Sequence, residues 1–394
     1  MAYQSYLRSK DEEHTYELTL DTFAGALQKP HLWDRVVLRW DLPLVEAVLK
    51  ALAEPSPAAS AATAAIRALH IGLGIAAFDT ATATRLSRLL EQVIRRAPQL
   101  EQLNLPHAGL HYPATLAALC AQEASALRGL TLAVGPVDDD ARVTGADVAK
   151  LRDMKLVRGR LERLDLREFY HPPYPLFYVD ALIRIVETSV ETIKELAFKT
   201  DAGSITPLLR RIEKFPALES LTVWEDDCLT ERCFRSVQPG VKYLQLCIED
   251  AEEFLAPDGE NIPAVARRFP KLEQLHLRFD EKSLREPILD LVEKLGPYII
   301  AHWPTLKTFT IEAPVHDLLE DITQEEEEVL VADWGRHGPN LRKVYFDCEC
   351  PREWDIVSPV EGMPGGLKEL DGEELGNDVT MCTFDEDCPG HRES

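Results

Sequence analysis

The 394-residue chain is long enough for two or three ordinary domains, and its 45% hydrophobic content suffices for a sizeable core. Its 43 basic and 67 acidic residues leave a formal charge of −24. That balance argues against generic nucleic-acid binding and against an anionic membrane surface, since both need a surplus of Lys and Arg facing phosphate.

The N-terminus, Met1 to His14, is polar and charged and has no apolar core of the kind a signal peptide needs. The apolar runs are too short to span a bilayer, and no Asn-x-Ser/Thr acceptor occurs. A reduced, cytoplasmic setting is expected, with the nucleus also open. Leu18-Thr19-Leu20 and Trp33-x-x-Val36-x-Leu38 read as early strands, the second lying 33 residues ahead of Ile66. Between them and the main pattern, Glu54 to Ala65 (EPSPAASAATAA) reads as a flexible loop on composition.

From Ile66 onward ten segments carry one signature, h-x-x-h-x-h, where h is apolar. They are Ile66-Leu69-Ile71, Leu100-Leu103-Leu105, Leu127-Leu130-Leu132, Leu161-Leu164-Leu166, Ile193-Leu196-Phe198, Leu218-Leu221-Val223, Val241-Leu244-Leu246, Leu272-Leu275-Leu277, Leu306-Phe309-Ile311 and Leu341-Val344-Phe346. Their starts lie 23 to 35 residues apart, which is the spacing of a repeat protein. The fourth and sixth positions share one face of a strand because side chains alternate with period two. Helical stripes fall between the strands: Leu86, Leu89, Leu90, Val93 and Ile94; Leu182, Ile183 and Val186; Ile288, Leu291, Val292 and Leu295. Proline before the strand (Pro98, Pro216, Pro270, Pro304, Pro339) punctuates the return from helix to strand. Strand, helix and strand at this spacing predict parallel strands with outer helices, each unit leaving an apolar face that only its neighbours cover. Glu325 to Glu328 reads as a solvated helix start. Leu367-Lys368-Glu369-Leu370 opens one more signature, but Gly372 takes its sixth position, and the residues after Asp371 are acidic and predicted to be irregular.

These segments resemble the leucine-rich-repeat superfamily in its ribonuclease-inhibitor-like form. The resemblance implies an α/β solenoid, a horseshoe with parallel strands on the concave face and helices on the convex face. It predicts an N-terminal capping region over residues 1–65 with a possible first repeat, irregular repeats over 66–350, and an acidic C-terminal cap or tail over 351–394. The chain departs from the family at the ninth repeat position, where asparagine often forms a ladder. Here that column reads Gly74, Ala108, Gly135, Phe169, Asp201, Asp226, Glu249, Asp280, Pro314 and Glu349, so the turns are expected to be satisfied differently.

Motifs for chemistry are weak. Gly72-Leu73-Gly74-Ile75-Ala76-Ala77 matches a dinucleotide-binding turn, but its strand is in register with the other repeats, and the next strand ends in Pro106-His107 rather than an acidic residue. Cys348-x-Cys350 with Cys382, Cys388 and His391 could offer zinc ligands, yet the spacing fits no finger pattern. The remaining cysteines (Cys120, Cys228, Cys233, Cys247) are scattered and do not resemble a disulfide framework. No P-loop, H-E-x-x-H or G-x-S-x-G is present. No cofactor, metal or catalytic residue is assigned, and a non-enzyme is expected.

What remains is the face carrying positions three, five and seven. It offers Arg163, Arg167, Lys199, Trp224, Tyr243, His276, Arg278 and Tyr345 as candidate partner-binding residues. With Glu312 included, that face carries five basic and four acidic residues, so it is richer in positive charge than the chain as a whole. Trp, Tyr and Arg are also favoured at binding hot spots. The long, irregular repeats are similar to those of diverged fungal F-box and leucine-rich-repeat proteins, which implies a protein partner and a role in substrate recognition for a ubiquitin ligase. Residues 1–60 hold no recognisable F-box, and Leu42-Pro43-Leu44 lies too late to open one. The alternative is a GTPase activator of the leucine-rich-repeat type, a family that also joins repeats to an acidic C-terminal part.

Overall fold

The computed structural model describes residues 5–8, 15–39, 41–72, 80–105, 126–133, 161–169, 189–200, 215–223, 240–248, 261–279, 296–312, 323–347, 352–358 and 363–369. The chain divides into two compact units, Met1–Leu208 and Leu209–Ser394. Both are mixed α/β and built on an open, mostly parallel sheet. Among the described residues no helix is long and apolar enough to cross a membrane.

The first unit opens with a short antiparallel hairpin, β1 (Tyr6–Arg8) and β2 (Thr15–Glu17). Strand β1 also pairs antiparallel with β3 (Arg35–Arg39). Leu18-Thr19-Leu20 is therefore not the early strand. It follows β2 and leads into a turn and the short helix α1 (Phe23–Ala26), because the Thr22 hydroxyl accepts the Thr19 N–H and closes the chain locally. Strand β3 is the first repeat strand, as Val36 and Leu38 suggested. It pairs in parallel with β4 (Ala68–Gly72), with Val36 opposite Leu69 and Leu38 opposite Ile71.

The parallel order continues through β5 (Gln102–Leu105), β6 (Gly129–Ala133), β7 (Arg163–Phe169) and β8 (Glu195–Thr200). Signature position four stays aligned throughout, from Leu69 to Leu103, Leu130, Leu164 and Leu196. In the second unit β9 (Ser220–Val223), β10 (Tyr243–Ile248), β11 (Gln274–Phe279), β12 (Thr308–Glu312) and β13 (Lys343–Asp347) are parallel neighbours. Leu221, Leu244, Leu275, Phe309 and Val344 align across them. Leu103, Leu164, Leu221 and Leu275 are each at most 1% exposed. A one-residue slip in any strand would turn this row to the other face, so the apolar pattern specifies the register.

Beyond β13 the chain reverses. Strand β14 (Arg352–Ser358) pairs antiparallel with β13, and β15 (Met363–Glu369) antiparallel with β14. The Leu367 segment thus closes a hairpin instead of opening another repeat. Glu353 to Ile356 alternates polar and apolar residues, which suits a strand.

Helices supply the second layer. In the first unit α2 (Leu42–Ala53) begins at Asp41, whose carboxylate accepts the Leu44 N–H, with Pro43 in the first turn. Residues 57–65 are helical as α3 (Pro57–Ala65), not the loop that composition suggested. Ser56 caps its start through the Ala59 N–H, Pro57 is pre-set for a first turn, and alanine favours helix interiors. Thr63 is fully enclosed and donates to the carbonyls of Leu52 and Ala59. In α4 (Thr80–Arg96) the predicted stripe faces inward, with Leu86, Leu90, Val93 and Ile94 buried. The other two predicted stripes lie outside the described residues.

The second unit has α5 (Asn261–Arg268), a helical stretch over 296–301, and α6 (Gln324–His337). The acidic run does start a helix. Thr323 and Glu326 form a reciprocal capping box. Glu327 is the exception to the solvated reading, since it is fully buried and accepts the indole N–H of Trp354 in β14. Trp334 of α6 packs on Phe309 and Phe346, with ring centroids 5.3 and 5.8 Å away, so this helix covers the leucine face.

The strand starts show how successive repeats are joined without an asparagine column. The carbonyl at signature position two accepts two N–H groups from the next repeat. Asp34 O takes Arg67 N and Ala68 N at 2.8 and 3.0 Å, and Glu273 O takes Lys307 N and Thr308 N at 2.7 and 3.1 Å. A carbonyl has two lone pairs, so one oxygen can satisfy both donors. Side chains just ahead of the strand reinforce this: Thr192 Oγ1 donates to Leu161 O at 2.7 Å, Thr305 Oγ1 to Leu272 O at 2.6 Å, and Asn340 Nδ2 to Pro304 O at 2.7 Å. Of the ninth-position column, only Phe169 lies within the described residues.

Candidate binding face of the second unit

Parallel pairing in register places Tyr243 opposite Gln274, Gln245 opposite His276, and Cys247 opposite Arg278. It also places His276 opposite Thr310 and Arg278 opposite Glu312, and Thr310 opposite Tyr345. All are odd signature positions and stand on the face away from the leucines, because adjacent strand residues alternate.

These side chains form a connected row. Thr222 Oγ1 donates to Gln245 Oε1 at 3.4 Å, and the Tyr243 hydroxyl lies 3.4 Å from both Gln245 Oε1 and His276 Nδ1. His276 Nε2 is 2.8 Å from Glu312 Oε2. Arg278 Nε meets the other oxygen, Glu312 Oε1, at 3.1 Å. One carboxylate on β12 therefore spans two side chains of β11.

A second cluster lies on β13 and β14. Antiparallel pairing sets Tyr345 opposite Glu353 and Lys343 opposite Asp355. Lys343 Nζ donates to the Glu353 carboxylate and, at 3.4 Å, to the Tyr345 hydroxyl, and it lies 5.7 Å from the Tyr345 ring centroid. The hydrogen bond to Glu353 holds the Lys343 ammonium above the usual lysine range. Burial, then the Glu353 charge, pushes the Tyr345 phenol above 10.0.

This face is more enclosed than an ordinary surface. Thr222, Gln245 and His276 are 3%, 0% and 4% exposed, so His276 is not the open contact its position suggested. Neighbouring strands lie about 4.8 Å apart, and large side chains on adjacent strands cover one another. The positive character expected of the face is also partly neutralised: Arg278 sits against Glu312, Lys343 against Glu353, and, in the first unit, Arg163 against Glu195 at 3.6 Å. In the second unit the cations are the outer partners. Lys343 is 43% exposed above Glu353 at 8%, and Arg278 is 23% exposed beside Glu312 at 18%.

Of the eight predicted residues, Tyr243, His276, Arg278 and Tyr345 share this face. Arg163 opens β7 on the equivalent positions of the first unit. Arg167 and Lys199 lie in the backbones of β7 and β8, with side chains outside the described set. Trp224 lies outside the described residues, as do the glycine turn after Gly72 and the Cys348 to His391 cluster. Among the described residues, no group of His, Cys, Asp and Glu could hold a metal ion, and Cys247 is buried. Sequence reading missed Glu353. Its signal was the Trp354-x-Ile356 alternation, which marks a strand with Glu353 on the opposite face.

No family model matches the sequence, and no curated relative does at a significant level. Among solved structures, the chain is similar to the leucine-rich-repeat-containing protein LegL7 from Legionella pneumophila, at 15% identity and a TM-score of 0.38, over 76% of this chain and 81% of that one.

Proposed function

We propose that the chain is a non-catalytic protein-interaction scaffold, and that the odd-position face of its second unit docks a partner polypeptide carrying carboxylates. The observation behind this is the row of interacting polar side chains on successive parallel strands, from Thr222 to Arg278 and Glu312, with the separate Lys343, Tyr345 and Glu353 cluster on β13 and β14. Groups held by one another lose little freedom on binding, which favours affinity. Tyr243 and Tyr345 offer half-buried rings, and Lys343 and Arg278 are the outer members of their ion pairs, with the exposed Asp355 opposite Lys343. A partner carboxylate can join those cations in charge-assisted hydrogen bonds.

Arg163, Arg167, Lys199 and Trp224 belong to the same proposal as further contacts. Its wider form is the horseshoe, with this face concave and helices convex. Its narrower form is substrate recognition within a ubiquitin ligase, the role implied by resemblance to F-box and leucine-rich-repeat proteins.

The test compares affinity capture by the wild-type chain with capture by Lys343→Ala, Tyr345→Ala and Arg278→Ala. Arg336→Ala, on the exposed side of α6, serves as a control. Proteins lost with all three face variants, kept by the control, and released by moderate salt support the reading. Recovery of ubiquitin-ligase subunits among them supports the narrower form. Identical capture by all four variants, or loss only with Arg336→Ala, refutes the face.

A further inference from the structure

Signature position two carries a charge in repeat after repeat, and the sign alternates. In the first unit it reads Asp34, Arg67, Glu101, Arg128, Glu162 and Lys194; in the second it reads Glu219, Lys242, Glu273 and Lys307. The parallel register brings these residues side by side at the strand starts. Arg67 lies 3.5 Å from Asp34 and 3.8 Å from Glu101. Glu162 stands between Arg128 at 3.6 Å and Lys194 at 3.1 Å. In the second unit Lys242 meets Glu219 at 3.8 Å and Lys307 meets Glu273 at 2.7 Å.

Native stability is a weak reason for such a pattern. Each pair is substantially exposed, and exposed ion pairs contribute little. The alternation matters more for the pairings it forbids. The leucine row is nearly the same in every repeat, so packing alone barely distinguishes one strand from another as a neighbour. A strand that skips one repeat would still align leucine with leucine. At position two, however, it would meet a like charge: Asp34 against Glu101, Arg67 against Arg128, Lys242 against Lys307. Within each unit, from Asp34 to Lys194 and from Glu219 to Lys307, native neighbours attract and second neighbours repel.

We infer that this charged edge is a strand-order code that disfavours repeat-skipping misassembly during folding. Skipped and swapped pairings are characteristic failures of repeat arrays, and like charges facing one another are a standard device against wrong pairing. The alternation breaks at Arg342, which follows Lys307 with the same sign. Arg342 leads into β13, the last parallel strand; the strand after it, β14, runs antiparallel, and its Ile356 N–H bonds the Arg342 carbonyl at 2.7 Å. The pairing of β13 with β12 is still parallel, so this last pairing lies outside the code.

The experiment uses the full chain and two ladder variants of the second unit. One is neutralised (Glu219→Gln, Lys242→Gln, Glu273→Gln, Lys307→Gln). The other is inverted (Glu219→Lys, Lys242→Glu, Glu273→Lys, Lys307→Glu) and keeps the alternation. Each is unfolded in denaturant and refolded by dilution at about 0.1 M and about 1 M salt, between which the screening length falls from about 10 Å to about 3 Å. Recovery of native monomer is then measured. At low salt the neutralised chain should be recovered at least threefold less well than wild type, with its melting temperature within a few degrees. The inverted chain should refold like wild type, and high salt should bring wild type down to the neutralised level. Equal recovery of wild type and the neutralised chain at both salts overturns the proposal. So does an inverted chain that refolds as poorly as the neutralised one, since residue identity and not alternation would then govern. Partner binding plays no part in these readouts, so this proposal and the docking face can fail separately.

Discussion

Truncating Leu275 to alanine tests the leucine row at its centre. The side chain is 1% exposed and lies between Leu244 of β10 and Phe309 of β12. Three carbons leave the core, at about 0.8 kcal/mol each, for about 2.4 kcal/mol of lost transfer free energy. Both flanking strands are held by their backbone ladders, so the hole closes only partly. A residual cavity on the order of 50 Å³ adds about 1 kcal/mol at roughly 24 cal/mol per Å³. The expected loss is thus about 3 to 4 kcal/mol, or a fall on the order of 10 °C in the melting temperature of a unit this size. Trp303, Trp334 and Trp354 are buried in the same unit, so tryptophan fluorescence during denaturant unfolding reports on it. Hydrogen exchange at the amides of β10 to β12 reads its stability even if the units unfold separately. Gln274→Ala is the control, being one residue away on an exposed position. A Leu275→Ala chain no less stable than Gln274→Ala would mean that this row does not form the core.

Three further outcomes follow from the second unit. A Cβ added at Gly296 would come within 2.2 Å of the Trp334 ring, so Gly296→Ala should destabilise by about 1–3 kcal/mol through overpacking, measured in the same fluorescence titration. The Glu326 carboxyl is held below its ordinary 4.5 by the Thr323 N–H and hydroxyl. The depressed value makes its contribution present above 4.5 and lost as pH falls through the folded value; amide exchange in the first turn of α6 should therefore speed up in acid, and Glu326→Gln should remove that pH dependence. Lys343 is raised above 10.5 by Glu353, so its contribution is full below 10.5 and lost as pH rises through the higher folded value. Tyr345 shifts in the same direction, and Glu353→Gln should flatten the alkaline limb of the stability profile, as read by denaturant midpoints.

Much of this protein was legible in the sequence because the deciding interactions are local and repetitive. Period-two alternation around Leu103 or Leu275 specifies a strand and its inward face without reference to any partner. The 23 to 35-residue recurrence then specifies parallel neighbours, since each apolar face needs another like it. The same logic reached Val36 and Leu38 in β3 and the inward stripe of α4. It failed over residues 57–65, where composition suggested a loop but Ser56, Pro57 and the alanines make a capped helix packed against its neighbours. It also failed beyond Phe346, where the chain reverses into β14 and β15.

The functional face shows the same division. Its membership follows from parity alone, which put Tyr243, His276, Arg278 and Tyr345 together. Its chemistry depends on which side chains reach across 36, 34 or 10 residues of chain, as His276 and Arg278 reach Glu312 and Lys343 reaches Glu353. The alternating charges at position two were visible as letters, but they acquired meaning only when the register placed Glu162 between Arg128 and Lys194. Periodicity is a property of the chain, so sequence determines the strands and their faces. Pairing across strands depends on distances that folding creates, and those only the tertiary structure decides.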